Sequence, residues 1–313
     1  MDRRSFIKNT AATGAAAFIG TGIFGREVLA AGPAKKADIS VITGTDILQN
    51  TKEAVKMLGG MKKFVKKDSR VGILINSAFD TKGAYVHPDI ALATLDMCFE
   101  ARAREVVCLQ AVDPSYWKRS ENYDRYVHLF EHVTQVESNI FPAEFNEDDW
   151  VKMPGIQGAK GLKDVEVIKA LTEVDVLINV FIAKHHAGAN YTGALKNSMG
   201  YCTRKTNVFY HLGSGDRNNP EFLAQCIADI NLLRQPDLII GDATEFIISN
   251  GPGGPGDMIR LDKVFAGTNL VAMDALGVSY NDVDPEDVPV LRKAGEMGLG
   301  SADLSKINIV ERA

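Results

Sequence analysis

Val174-Asp-Val-Leu-Ile-Asn179 continues into Val180-Phe181, and about a hundred residues earlier Val71-Gly-Ile-Leu-Ile-Asn76 has the same form. Both are near-continuous apolar runs rather than alternating ones. A strand reads this way when helices cover both of its faces. Each run carries an Asn, and a Lys stands beyond it, Lys82 after the first and Lys184 after the second. Similar short runs at Ile39–Thr43, Val106–Gln110, Val208–His211, Leu238–Asp242 and Ile307–Val310 complete a set of predicted strands. Helical periodicity falls between them at Asp46–Phe64, His87–Arg102, Asp164–Glu173, Pro220–Leu233, Val271–Val278 and Pro285–Glu296. Strands alternating with helices predict an α/β fold with a largely parallel sheet and flanking helices. Residues 113–161 break the rhythm and read as an inserted cap over one sheet end.

The chain of 313 residues is 45% hydrophobic, with 35 basic and 40 acidic residues and a net charge of −5. These fractions exclude a disordered chain, a coiled coil and a collagen-like fibre. The acidic balance argues against a nucleic-acid partner. At the amino end, Asp2-Arg-Arg-Ser-Phe-Ile-Lys8, a softened apolar stretch Ala11–Gly25 and small residues at Val28-Leu-Ala30 read as a twin-arginine signal peptide over 1–30. The expectation is a single α/β domain over 31–313, delivered outside the cytoplasmic membrane by the twin-arginine export machinery. Cys98, Cys108, Cys202 and Cys226 form no C-x-x-C. One or two disulfides and four separate thiols both remain open.

In open α/β sheets, ligands bind at the carboxyl ends of the strands. The densest polar cluster follows such a strand: Lys184-His185-His186, then Thr192-Gly-Ala-Leu-Lys196-Asn197. Ammonium, imidazole and amide groups among small residues suit a small anionic ligand. Adjacent histidines point to opposite sides of extended chain, so one of His185 and His186 belongs to the site and the other packs. Asp242 ends a further strand, either to position a cation or a lysine or to form a turn. Asn250-Gly-Pro-Gly-Gly-Pro-Gly256 contains the spacing G-x-G-x-x-G, but its prolines oppose a dinucleotide loop. It reads instead as a rigid loop whose amides at Gly253 and Gly254 could face a ligand. Asp274 lies in an apolar run and must pair or cap. His128-Leu-Phe-Glu131-His132 matches a zinc-peptidase spacing without a third ligand, and it reads as a surface helix, so no metal is assigned. No G-x-S-x-G elbow occurs.

Several segments resemble the domain-of-unknown-function 362 family. They are Asp175-Val-Leu-Ile-Asn-Val-Phe-Ile-Ala-Lys184-His185-His186, Thr192-Gly-Ala-Leu-Lys196-Asn197 and Pro236-Asp-Leu-Ile-Ile-Gly-Asp242. Gly253-Gly-Pro255, Phe265-Ala-Gly-Thr-Asn-Leu-Val-Ala-Met-Asp274 and Gly298-Leu-Gly-Ser-Ala-Asp-Leu304 continue the pattern. The family's Lys-Thr-His reads Lys184-His185-His186 here, placing His186 at the family's histidine. The four-cysteine segment of some members is missing, so the resemblance implies no iron–sulfur role.

The expected function is an exported enzyme acting on a small anionic substrate or an organic cofactor of unknown identity. Lys184 and Lys196 would hold the anion, with Lys184 alternatively a covalent anchor. His186 would transfer a proton, Asn76 and Asn197 would orient the ligand, and Asp242 and Asp274 would bias the cations. The alternative is a non-catalytic cofactor- or metal-binding accessory of an exported redox complex. The oligomeric state is not legible.

Overall fold

A computed structural model describes residues 37–136, 147–281 and 283–313. The expected signal peptide lies outside the described residues. The α/β class and largely parallel sheet are as expected. Eight strands form the central sheet: β1 Ile39–Thr43, β2 Arg70–Ile75, β3 Glu105–Cys108, β4 Val133–Gln135, β5 Val176–Ile182, β6 Leu238–Ile247, β7 Met258–Gly267 and β8 Ile309–Arg312. Their spatial order is β8-β1-β7-β6-β5-β2-β3-β4. All run the same way except β7, which is antiparallel to both β6 and β1. Every residue of β5 is buried, as its unbroken apolar run requires.

The six longer helices are α1 Ile47–Met57, α2 Pro88–Glu100, α3 Arg204–Leu212, α4 Pro220–Ile230, α5 Leu270–Ser279 and α6 Pro289–Glu296. Most begin at a legible cap. Asp46 accepts from the Gln49 N–H of α1, Thr203 from Thr206 of α3, Asn219 from Phe222 of α4 and Asn269 from Ala272 of α5. The four cysteines are separate, free and buried. Burial pushes each thiol up to about 12.

Four segments differ from expectation. Val208–His211 is the second half of α3, not a strand; Thr203 caps this helix and Gly213 ends it, outweighing the β-branched Val208. Asp164–Glu173 divides into a strand, Val165–Ile168, and one helical turn, Ala170–Glu173. Strand β7 was not expected, because its outer half (Met258–Lys263) is polar and only its inner half is buried. The interruption at 113–161 is not one cap. Its first part sets Arg119 4.3 Å over the Tyr85 ring and 3.3 Å from the Phe79 carbonyl, closing on the loop after β2, and the chain then adds β4 to the sheet edge. Its second part, Trp150–Met153, pairs with Val165–Ile168 in a separate ribbon.

The topology locates a crevice. From β2 the chain crosses through α2 to β3 on one side, whereas from the adjacent β5 it crosses through α3 and α4 to β6 on the other. Neighbouring strands whose crossovers leave in opposite directions open a gap at their carboxyl ends, the usual ligand position in such sheets. Asn76 follows β2 and Lys184 follows β5 at this gap.

Candidate functional site

Three asparagines close the floor of the gap. The Asn197 amide donates to Asn179 Oδ1 at 2.7 Å and to the Leu74 and Val180 carbonyls at 3.3 Å. Its oxygen accepts from Asn76 Nδ2 at 3.2 Å, and Asn179 Nδ2 donates to the Ala194 carbonyl at 2.9 Å. The repeated Asn of the two apolar runs thus has a joint purpose: both bind Asn197 and fix the turn Ala194–Asn197 across β2 and β5. Asn197 is spent on the fold, whereas Asn76 keeps a buried carbonyl oxygen with no partner. That oxygen can accept from a ligand.

Asp274 of α5 holds the same turn from the other side. Its carboxylate accepts from the Ala194 N–H at 2.6 Å and from the Leu195 N–H at 3.0 Å. A Cβ at Gly193 would fall 2.3 Å from Asp274 Oδ1, so only glycine admits this approach. Burial pushes the Asp274 carboxyl up to about 7 against the pull of both backbone donors. The residue caps a helix and biases no cation directly.

The turn presents Lys196. No hydrogen bond or ion pair engages its ammonium among the described residues, and burial lowers it to about 8. Its charge in turn depresses Lys184, His186 and His211. Lys184 is the more deeply buried lysine, yet its ammonium is occupied. It donates to the Ala84 carbonyl and, at 2.8 Å, to the Pro252 carbonyl, and lies 4.4 Å from the Phe79 ring centroid. Burial first, and Lys196 second, hold it well below the usual lysine range. Lys184 therefore fastens the loop after β2 to the Gly-Pro loop, whereas it was expected to hold an anion. A nucleophilic role would require both carbonyls to be released.

His186 is 7% exposed, and its Nδ1 accepts from the Gly188 and Ala189 N–H groups at 3.0 and 3.1 Å. Two donors on Nδ1 leave the proton of the neutral ring on Nε2. Charging the ring would break both bonds. Burial and the neighbouring Lys196 push it down to about 2. His186 is thus built to donate a hydrogen bond, and the expected proton transfer does not suit it. His185 goes elsewhere, accepting from the Gly251 N–H at 3.0 Å.

The two remaining expectations meet packing. Asp242 is buried and accepts from the His87 N–H at 2.6 Å, from the Thr244 N–H at 2.8 Å and from the Thr244 hydroxyl at 2.7 Å. Burial raises its carboxyl while these bonds oppose the rise. It latches the start of α2 to β6 and touches no lysine. In the Gly-Pro loop, a Cβ on Gly253 would lie 3.0 Å from Phe79 and one on Gly254 3.1 Å from Thr81. These glycines allow close packing against the loop after β2, and the Gly254 N–H is taken by the Asn250 carbonyl at 3.1 Å.

Sequence reasoning missed His211. It lies in the last turn of α3, and its Nδ1 is 2.8 Å from Asn218 Oδ1. The Thr203 cap followed by a helical period was the signal that could have placed it. Among the described residues, no three or more of His, Cys, Asp and Glu converge as for a metal. His128 and His132 lie on the 3-10 segment Val127–His132.

Residues 71–279 match the model of the family described as Domain of unknown function (DUF362), and the chain belongs to that family. A thylakoid-associated protein of Synechocystis sp. is 22% identical over 256 residues, covering 81% of this chain and 75% of that protein. Among solved structures, the lactate racemase apoprotein from Thermoanaerobacterium thermosaccharolyticum aligns with a TM-score of 0.48 and 13% identity over 76% of this chain. The aligned part spans 56% of the racemase chain, little over half its length.

Proposed function

We propose that this DUF362 protein binds a small anion, the carboxylate or phosphate-like group of a substrate or an organic cofactor, in the crevice between the carboxyl ends of β2 and β5. The observation that carries the reading is the unpaired ammonium of the half-buried Lys196 at the topological switch of the sheet. No acid stands among the groups that act on Lys184, His186, Lys196 or His211, so an incoming anion would be the counter-ion that Lys196 lacks. A burial cost borne without a partner points to a ligand that removes it.

In this reading Lys196 supplies charge, and the His186 Nε2–H donates to an oxygen of the ligand. The Asn76 carbonyl oxygen accepts from a ligand N–H or O–H. A neutral imidazole that donates without charging is suited to polarise a carbonyl or stabilise developing negative charge on oxygen. That is the enzymatic form of the proposal. Sulfate serves as a probe. At a hundredfold excess over its Kd, binding adds about 2.7 kcal/mol, a rise in Tm of roughly 4–8 °C. A Tm unmoved by sulfate beyond the effect of matched ionic strength would sink the reading.

The proposal extends to location: residues 1–30 direct export by the twin-arginine route. Replacing Arg3-Arg4 by Lys-Lys is then expected to hold the precursor in the cytoplasm. Fractionation that finds the paired-lysine variant exported and trimmed as before would remove this part.

A further inference from the structure

Gly188 packs against both His186 and Asn218, the residue that holds His211. A Cβ at Gly188 would stand 3.4 Å from His186 Cε1 and 3.4 Å from the Asn218 amide. The hold is double. Asn218, at φ 55°, donates its N–H to the His211 carbonyl at 2.8 Å, and its Oδ1 lies 2.8 Å from His211 Nδ1. The amide oxygen thus keeps the Nδ1 proton in place, leaving Nε2 to take up a proton. No other side chain bonds the ring among the described residues. Its position in the last turn of α3, at the negative end of the helix dipole, favours a cation there.

The charged groups that act on His211 are Lys196 from the turn across the gap and Arg217 from the loop after α3, both positive. Without a ligand, burial first and these two charges after it hold the ring below its ordinary value, against the pull of the Asn218 bond. A second negative charge arriving beside Lys196 reverses that balance and draws a proton onto Nε2. A singly charged anion is already matched by Lys196.

We propose that His211 contacts the ligand and that the site takes a doubly charged oxyanion, of the phosphate or sulfate type, in preference to a singly charged one. The inference rests on the anion-binding reading above. Binding of the dianion carries one proton from solvent to His211 Nε2, and binding of a monoanion carries none.

Calorimetric titrations with sulfate and nitrate near neutral pH test this, each in two buffers of different ionisation enthalpy. The wild-type chain is expected to bind sulfate at least about tenfold more tightly than nitrate, with net proton uptake for sulfate alone. His211→Gln is expected to lower the sulfate preference to about threefold or less and to abolish proton uptake, leaving nitrate affinity within about twofold. Asn218→Ala, which frees the ring without removing it, is expected to weaken sulfate selectively. If both variants keep the wild-type preference and proton count while Lys196→Met weakens both anions, His211 has no such role and the anion site stands. If neither anion binds the wild-type chain, both the inference and the reading beneath it fall.

Discussion

Lys196→Met is expected to make the protein more stable and to remove its response to sulfate. The two effects have one cause. The side chain is half-buried, without a counter-ion, and burial depresses its ammonium from the ordinary lysine value to about 8. A folded-state pKa below the unfolded one means that the charged form is disfavoured in the fold. The penalty is complete below about pH 8 and fades as pH rises towards 10.5, where the unfolded chain also loses the proton. With allowance for partial exposure, the methionine variant gains about 1–3 kcal/mol near neutral pH. It also loses a charge-assisted contact of about 1.5–3 kcal/mol, roughly a ten- to hundredfold drop in sulfate affinity. Urea unfolding and calorimetry read the two separately. A variant that is destabilised, or that binds sulfate as before, contradicts the assignment. Stability and function pulling apart at one residue is the mark of a site rather than of packing.

Asp274→Ala is expected to act in the opposite sense, costing about 2–5 kcal/mol. It strips the carboxylate acceptor from two buried N–H groups, Ala194 and Leu195, at the start of the turn that carries Lys196 and Asn197. Asp274→Asn keeps one acceptor and should lose less. The wild-type carboxyl, raised from 3.8 to about 7, favours the protonated form in the fold. Its stabilising contribution is complete below about pH 4 and is lost as pH rises through about 7. The slope in stability between those values should flatten in Asp274→Ala. A loss below 1 kcal/mol by urea unfolding, with the slope unchanged, would remove Asp274 from this role.

The sheet was legible because its buried strands leave no polar face: β2 and β5 could hardly be anything else. The site was legible in kind but not in assignment. Lys184 and Lys196 look equivalent along the chain, both among small residues after a buried strand. They part only through carbonyls far away in sequence, Ala84 and Pro252, which take up the Lys184 ammonium. The same limit applies to Asp242 and Asp274. A buried carboxylate demands donors, but backbone N–H groups satisfy it as well as a lysine does, and sequence does not show which ones arrive. Asn179 was visible as half of a repeated pattern and Asn197 as a candidate ligand residue, but their pairing was not. His211 was hidden by Val208 and Phe209, whose β-forming bias outweighed the Thr203 cap in the reading. Strand β7 was hidden because half of it faces water. In each case the missing information was a contact between distant segments rather than a local preference.

Sulfate affinity as a function of pH tests the central claim most directly, since sulfate keeps its charge across the range and only the protein titrates. If Lys196 supplies the binding charge, affinity falls more steeply above about pH 8, by a further factor approaching ten per pH unit beyond any slope that His211 contributes, and this added alkaline fall is missing in Lys196→Met. Affinity that stays level to about pH 10, or an added alkaline fall that survives in Lys196→Met, would show that the anion is held elsewhere.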